Sequence, residues 1–341
     1  MKNTSLNIIL IFVPTIVLLF LSIILISPSL ILSDGLLIKY SQTGEVGDTI
    51  GGIMGPIIAA IASLLTYLAF KVQYEANINQ RNDIQLERFE NQFYEMLRLH
   101  KENVSEMEIG NIKGRKCFTR MFYEFKYIYL CTYHIYLSQR EYLENDYSKE
   151  KLCDLSYKIF FNGLNSINEF ELNKIDKKKD APLLIHVYRY LLSAEEYYDE
   201  QFKMDSSSSI YKTVYNEDKL NTFKFEMFYY PFDGHNTRLG HYYRHLFQTV
   251  SFIANSTILT THKEKYHYLK LLRAQLSNHE QLLLYYNGLV SFGQEWITKK
   301  YFTDYRMIKN IPFDKADFGK LPVDKLGVKN RFGENIFEWI E

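Results

Sequence analysis

Between Asn3 and Ser33 the chain carries no charged side chain, and Ile8 to Ile26 is mostly Ile, Leu, Val and Phe. A second uncharged stretch runs from Thr49 to Phe70 and ends at Lys71. A helix needs about 20 predominantly apolar residues to cross the hydrocarbon core of a bilayer, so both stretches are long enough. The first is too long for the core of a signal peptide, and no small-residue cleavage site follows it. Two N-terminal transmembrane helices are therefore expected.

Their orientation follows from the distribution of Lys and Arg. Lys2 precedes the first span, and Lys71, Arg81 and Arg88 follow the second, whereas the short loop between them holds Asp34, Glu45 and Asp48 but only Lys39. Because basic residues stay on the cytoplasmic side, both termini are expected there, in a multi-pass membrane protein. Gly51, Gly55, Ala59 and Ser63 recur every four residues along the second span. Such a stripe of small residues lets helices approach closely in lipid. It fits helix association equally well between copies in a homo-oligomer or between the two spans of one chain.

The rest of the 341 residues reads as a mainly α cytoplasmic part. Lys plus Arg and Asp plus Glu both number 40. A general nucleic-acid binder needs a basic excess to neutralise phosphates, so this balance argues against that class while leaving room for a local basic site. With 28 Tyr and 24 Phe the chain can bury a large aromatic core. Cys117, Cys131 and Cys153 have neither disulfide-framework nor zinc-finger spacing and read as reduced, buried thiols. No cofactor is expected, since there is no P-loop, dinucleotide glycine fingerprint or nucleophile elbow.

Spacing divides the chain into an anchor (1–70), an amphipathic connecting helix (71–108) and an all-helical domain (109–341). Leu86, Phe89, Phe93, Met96, Leu97, Val104 and Met107 recur at intervals of mostly three and four, as on one face of a helix. Gly110 and Gly114 interrupt it, and Phe118 to Tyr129 resumes a helical pattern. Pro182 to Phe202 is helix-like, while the aromatic stretch 214–235 follows neither the helical nor the strand period. Leu239 to about Ile258 forms another helix. Thr261 to Glu264 has capping-box spacing and opens a single helix that runs past Arg273 to Gly288. Asn335 to Ile340 suggests a final turn.

Two polar clusters stand out. His241, Arg244, His245 and Gln248 share one face of their helix. His241 and His245 have a spacing that could hold a metal, but no intervening Glu or third ligand completes a site, so no metal is assigned. On the following helix, Arg273, Ser277 and Glu280 would share one face and Gln275, Asn278 and His279 another. Arg273 and Glu280 could form a buried pair. Arg273 and His279, with five residues between them, also resemble the Arg-x(4–6)-His pattern of HEPN-type ribonucleases, which cleave RNA without a metal. Arg238 to His245 fits the same loose pattern.

Gly240 to Gln248 (GHYYRHLFQ) resembles one motif of the phage abortive infection family typified by AbiC. Leu272 to Ser277 (LRAQLS), continuing through Leu282 to Gly288 (LLLYYNG), resembles its other hallmark. Phe89 to Met107, Gly114 to Phe118 and the paired spans are similar to upstream parts of the family. The resemblance implies a bacterial anti-phage role in which the infected cell stops growing or dies before progeny mature. It brings no catalytic roles, so Arg244, His245, Arg273, Gln275, His279, Glu280 and His241 stand as motif residues. The expected partners are membrane lipid, a second copy and a phage-encoded protein trigger, with RNA as the partner of a ribonuclease alternative. A non-enzymatic membrane-tethered sensor or scaffold is the other alternative.

Overall fold

The computed structural model describes residues 15, 22, 40–143, 146–167, 180–204, 210–216, 219–225 and 229–339. Apart from residues 15 and 22, the first expected span lies outside these residues. The described chain is mainly helical. It falls into two compact units, Met1–Glu87 and Arg88–Glu341.

The first helix, α1, is continuous over Tyr40–Glu106. It continues through Pro56, whose ring removes one backbone donor. It contains the one helix segment among the described residues that is long and apolar enough to cross a membrane, and that segment is not buried inside the protein. Ile57, Leu64, Tyr67 and Phe70 stand exposed along it. Where the sequence leads one to expect two spans, one such helix is described.

In the second unit, a tight antiparallel pair, β1 (Glu108–Ile109) and β2 (Ile112–Lys113), turns the chain back after α1. The glycines that break the helical spacing sit here in left-handed backbone, Gly110 at φ 55° and Gly114 at φ 64°. Helix α2 (Lys116–Gln139) is apolar around most of its circumference, the mark of a helix buried in the core. It packs against α3 (Lys149–Asn162), α4 (Ala181–Met204) and α7 (Asn278–Leu289). Phe125 is the hub, with its ring centroid 5.1 Å from those of Tyr157, Tyr286 and Phe318 in edge-on geometry. Such pairs contribute on the order of 1 kcal/mol each beyond the area they bury. All three cysteines are buried and free. Burial pushes the thiols of Cys117 and Cys153 up, away from reactivity.

The expected all-helical domain is corrected in three places. The stretch without a clear period overlaps a hairpin, β3 (Ile210–Asn216) paired antiparallel with β4 (Lys219–Phe225), in register from Ile210–Phe225 to Asn216–Lys219. Residues 335–339 are not helical; Asn335 instead makes a bridge to Lys329. The long helix expected from Thr261 to Gly288 is two helices, α6 (His262–Arg273) and α7. Ala274 closes α6, and Ser277 opens α7 with a second capping box in which its hydroxyl accepts from Glu280 N. That Ser-x-x-Glu pattern is as legible in the sequence as the Thr261 box, but the apolar spacing running through it masked the break. Helix α5 (Asn236–Ala254) precedes the pair. Short helices α8 (Glu295–Thr298) and α9 (Pro322–Leu326) follow.

Where α3 meets the entry to α5, two backbones touch. A Cβ on Gly163 would lie 2.5 Å from Asp233 O, and one on Gly234 would lie 2.6 Å from Asn162 C. Leu164 N donates to Phe232 O and His235 N to Phe161 O, both at 2.9 Å. This close approach places α5 against the core and so positions the polar cluster below.

Candidate functional site

Part of the C-terminal motifs meets at Glu280, on the first turn of α7. Its side chain is fully buried. Oε2 accepts from Ser277 N at 2.8 Å, closing the capping box, and Oε1 accepts from the Tyr242 hydroxyl of α5 at 2.9 Å. The guanidinium of Arg115, just before α2, comes within 3.8 Å of Oε2 through Nε and donates through Nη2 to Gln275 O at 2.6 Å. The break between α6 and α7 is what frees that carbonyl to accept. Burial, then the Glu280 carboxylate, pushes the Tyr242 phenol well above its ordinary range, so it stays a donor.

Against Tyr242 lies His100 of α1, ring centroids 5.4 Å apart, and His100 in turn stacks near His245 of α5 at 6.2 Å. His100 is 1 % exposed, and neither ring nitrogen has a hydrogen-bond partner among the described residues. Burial, then His245 and Arg115, lowers its pKa to about 4, so the ring is neutral at physiological pH. His245 is lowered too, by burial and then by His241. Beside this cluster a cavity of about 300 Å³ is lined by His100, Lys101, Val104, Ser105, Gly114 and Arg115.

The remaining expected residues point elsewhere. His241 and Arg244 are exposed on α5. Arg273 is buried, donates through Nη1 to Arg306 O at 3.0 Å and the Tyr266 hydroxyl at 3.3 Å, and lies over the Tyr266 ring. Arg306 accepts that bond from a left-handed backbone at φ 52°. His279 faces α2 instead, with Nδ1 3.3 Å from Thr119 Oγ1 and its ring against Phe122 and Tyr123. Burial, then Lys315, brings its pKa to about 4. The expected Arg273–Glu280 pair is thus not formed, because the helix break turns Ser277 and Glu280 off the face that carries Arg273. Arg238 is likewise spent on a backbone oxygen, Glu108 O at 2.9 Å. No group of three or more His, Cys, Asp or Glu that could hold a metal occurs among the described residues.

Three residues escaped the sequence reading. His100 lies in the apolar stripe Phe93, Leu97, His100, Val104, Met107, and a polar residue at a core position of such a stripe is the signal that could have found it. Arg115 is brought to Glu280 only by the β1–β2 turn. The third is Glu124, fully buried on α2, which accepts from Tyr229 Oη at 2.5 Å and Phe232 N at 2.9 Å and lies 2.8 Å from His235 Nε2. It ties α2 to the segment leading into α5, where Phe232 takes a left-handed backbone at φ 62°, a rare state for a bulky residue.

Residues 234–316 match the family model described as "Putative phage abortive infection protein". Over this segment the chain is AbiC-like. The matched residues include Gly234 and His235, the whole of α5 to α7, and therefore Tyr242, His245, Gln275 and Glu280. Neither the curated proteins nor the solved structures contain a match to the chain.

Proposed function

We propose that this chain is a membrane-anchored anti-phage protein that acts by abortive infection, with two N-terminal spans and both termini in the cytoplasm. The observation that carries the reading is the AbiC-like match over residues 234–316, within which Tyr242 and Ser277 meet the buried Glu280. The exposed apolar stretch of α1 supports the anchor, since such a surface is poorly tolerated in water.

In this reading residues 88–341 form a binding domain that senses infection, for which a phage-encoded protein is the natural upstream trigger. Its response is transmitted to the anchor, where the Gly51, Gly55, Ala59 and Ser63 stripe brings copies together. Ligand binding is favoured over RNA cleavage by the surroundings of Arg273 and His279. A ribonuclease pair needs both groups on one substrate phosphate, yet Arg273 is committed to Arg306 O and Tyr266, and His279 packs against Thr119, Phe122 and Tyr123.

The test is phage challenge of bacteria expressing wild type, Arg115→Gln, Arg273→Lys, or a chain lacking residues 1–70, with plaque counts, RNA integrity and membrane potential followed together. Protection by wild type that is lost with Arg115→Gln and on deleting the anchor is expected. Unchanged plaque numbers across a broad phage panel overturn the anti-phage reading. RNA cleavage lost selectively with Arg273→Lys overturns the preference for binding.

A further inference from the structure

The cavity beside His100 has features that the anti-phage reading leaves unused. Two of its six lining residues, Lys101 and Arg115, are cations, Ser105 adds a hydroxyl, and none is a carboxylate. Arg115 is the better placed cation. Nη2 is taken by Gln275 O and Nε faces Glu280, which fixes the plane of the fork, while Nη1 has no partner among the described residues. A guanidinium held on one edge and open on the other is pre-organised to meet an oxyanion. Arg115 also stands at the start of α2, a helix of 24 residues that has no side-chain cap. The dipole of that helix favours negative charge at such an end, while the Cys117 and Phe118 amides already donate to Gly114 O and Arg115 O.

His100 supplies the independent observation. It lines the cavity, is 1 % exposed, and both ring nitrogens lack a partner among the described residues. A buried polar group without a partner is costly, and an apolar residue would serve the Phe93, Leu97, Val104, Met107 stripe better. A neutral imidazole always carries one N–H, which an anion seated between Arg115 and Lys101 can accept.

We propose that this cavity binds the phosphoryl group of a small, soluble phosphorylated molecule, held by Arg115 and Lys101 and by an N–H of His100. The volume, at the lower end of ligand pockets, admits a phosphate with a sugar-sized substituent and not an extended polymer. Because Arg115 also touches Glu280 and Gln275 O, occupancy is felt at the junction of α6 and α7.

The proposal stands apart from the anti-phage reading, since binding is measured on purified protein and plaque assays play no part in it. The full chain in neutral detergent is titrated calorimetrically with inorganic phosphate and with ribose 5-phosphate. Saturable binding at one site is expected, with the sugar phosphate the tighter ligand. Arg115→Gln and His100→Phe should each weaken it by about tenfold, and Lys101→Gln by about threefold. Arg244→Gln, outside the lining, should leave it unchanged. His100→Phe replaces the imidazole with a slightly larger apolar ring that the adjoining cavity accommodates and should not lower the melting temperature, so its loss of binding cannot be ascribed to misfolding. Lys101→Gln, at an exposed position, guards against the same objection for Arg115. Absence of binding up to roughly 10 mM, an affinity worth under about 3 kcal/mol, overturns the proposal. Binding that survives both Arg115→Gln and His100→Phe overturns it equally.

Discussion

Removal of the Glu280 carboxylate tests whether the polar cluster is a coupled unit or a set of separate contacts. Glu280 is fully buried and accepts from Ser277 N and the Tyr242 hydroxyl. In Glu280→Ala the capping box loses its return bond, costing about 1 kcal/mol. The hydroxyl of Tyr242, itself 1 % exposed, is left without an acceptor, costing a further 1–3 kcal/mol or so. The space vacated by the side chain adds roughly 1 kcal/mol. The Arg115 ion pair adds little, because at 3.8 Å with Arg115 more than half exposed it is screened by water. The total is about 3–5 kcal/mol. Glu280→Gln keeps the volume and an acceptor for one of the two donors, and should cost only about 1–2 kcal/mol. In a domain of this size each kcal/mol lowers the melting temperature by roughly 2–4 °C. The expected losses are then about 6–20 °C for Ala and about 2–8 °C for Gln. Unfolding can be followed by intrinsic fluorescence of the buried Trp296. The decisive measurement is a double-mutant cycle with Tyr242→Phe, whose coupling to Glu280→Ala should be about 1–2 kcal/mol. Additive losses, or an Ala variant no less stable than the Gln variant, would refute the reasoning.

Three further outcomes are expected. Gly163→Ala places a Cβ 2.5 Å from Asp233 O at φ 84°, where neither backbone can yield, and should cost about 3 kcal/mol or more, read as a fall in melting temperature. His100 holds its proton less tightly folded, at about 4, than its ordinary value of 6.5, so the unfolded chain takes up protons first as the pH falls. Its contribution is therefore complete above about pH 6.5 and is lost towards pH 4, on the order of 3 kcal/mol in all; melting curves at pH 7 and 5 should separate, and less so for His100→Phe. Gly55→Leu, on an exposed face of α1 where nothing lies within 4 Å of an added Cβ, should leave stability intact but abolish cross-linking between copies in the membrane; undiminished cross-linking would rule out the stripe as the association face.

What could be read from the residues alone is whatever depends on local order along the chain. The helical period placed α4, α5 and the start of α6 close to their observed limits, and the start of α2 but not its end at Gln139, because each buries a stripe at intervals of three and four. The uncharged stretch ending at Phe70 was legible as part of a helix long and apolar enough to cross a membrane, since hydropathy and length are sums over neighbours. Motif residues were recognisable too, but as a list without an arrangement. Their sorting belonged to the tertiary structure. Arg273 and Glu280 were matched by helical arithmetic, and one capping serine between them cancels that arithmetic by starting a new axis. Tyr242, one aromatic among many in its motif, carries its hydroxyl to Glu280, because α5 crosses the start of α7. His100 and Arg115 are separated by a helix end and a two-stranded turn, yet line the same cavity. Pattern along a chain reports which residues are buried; which of them meet is decided by where glycines permit two backbones to touch, as Gly163 and Gly234 do here.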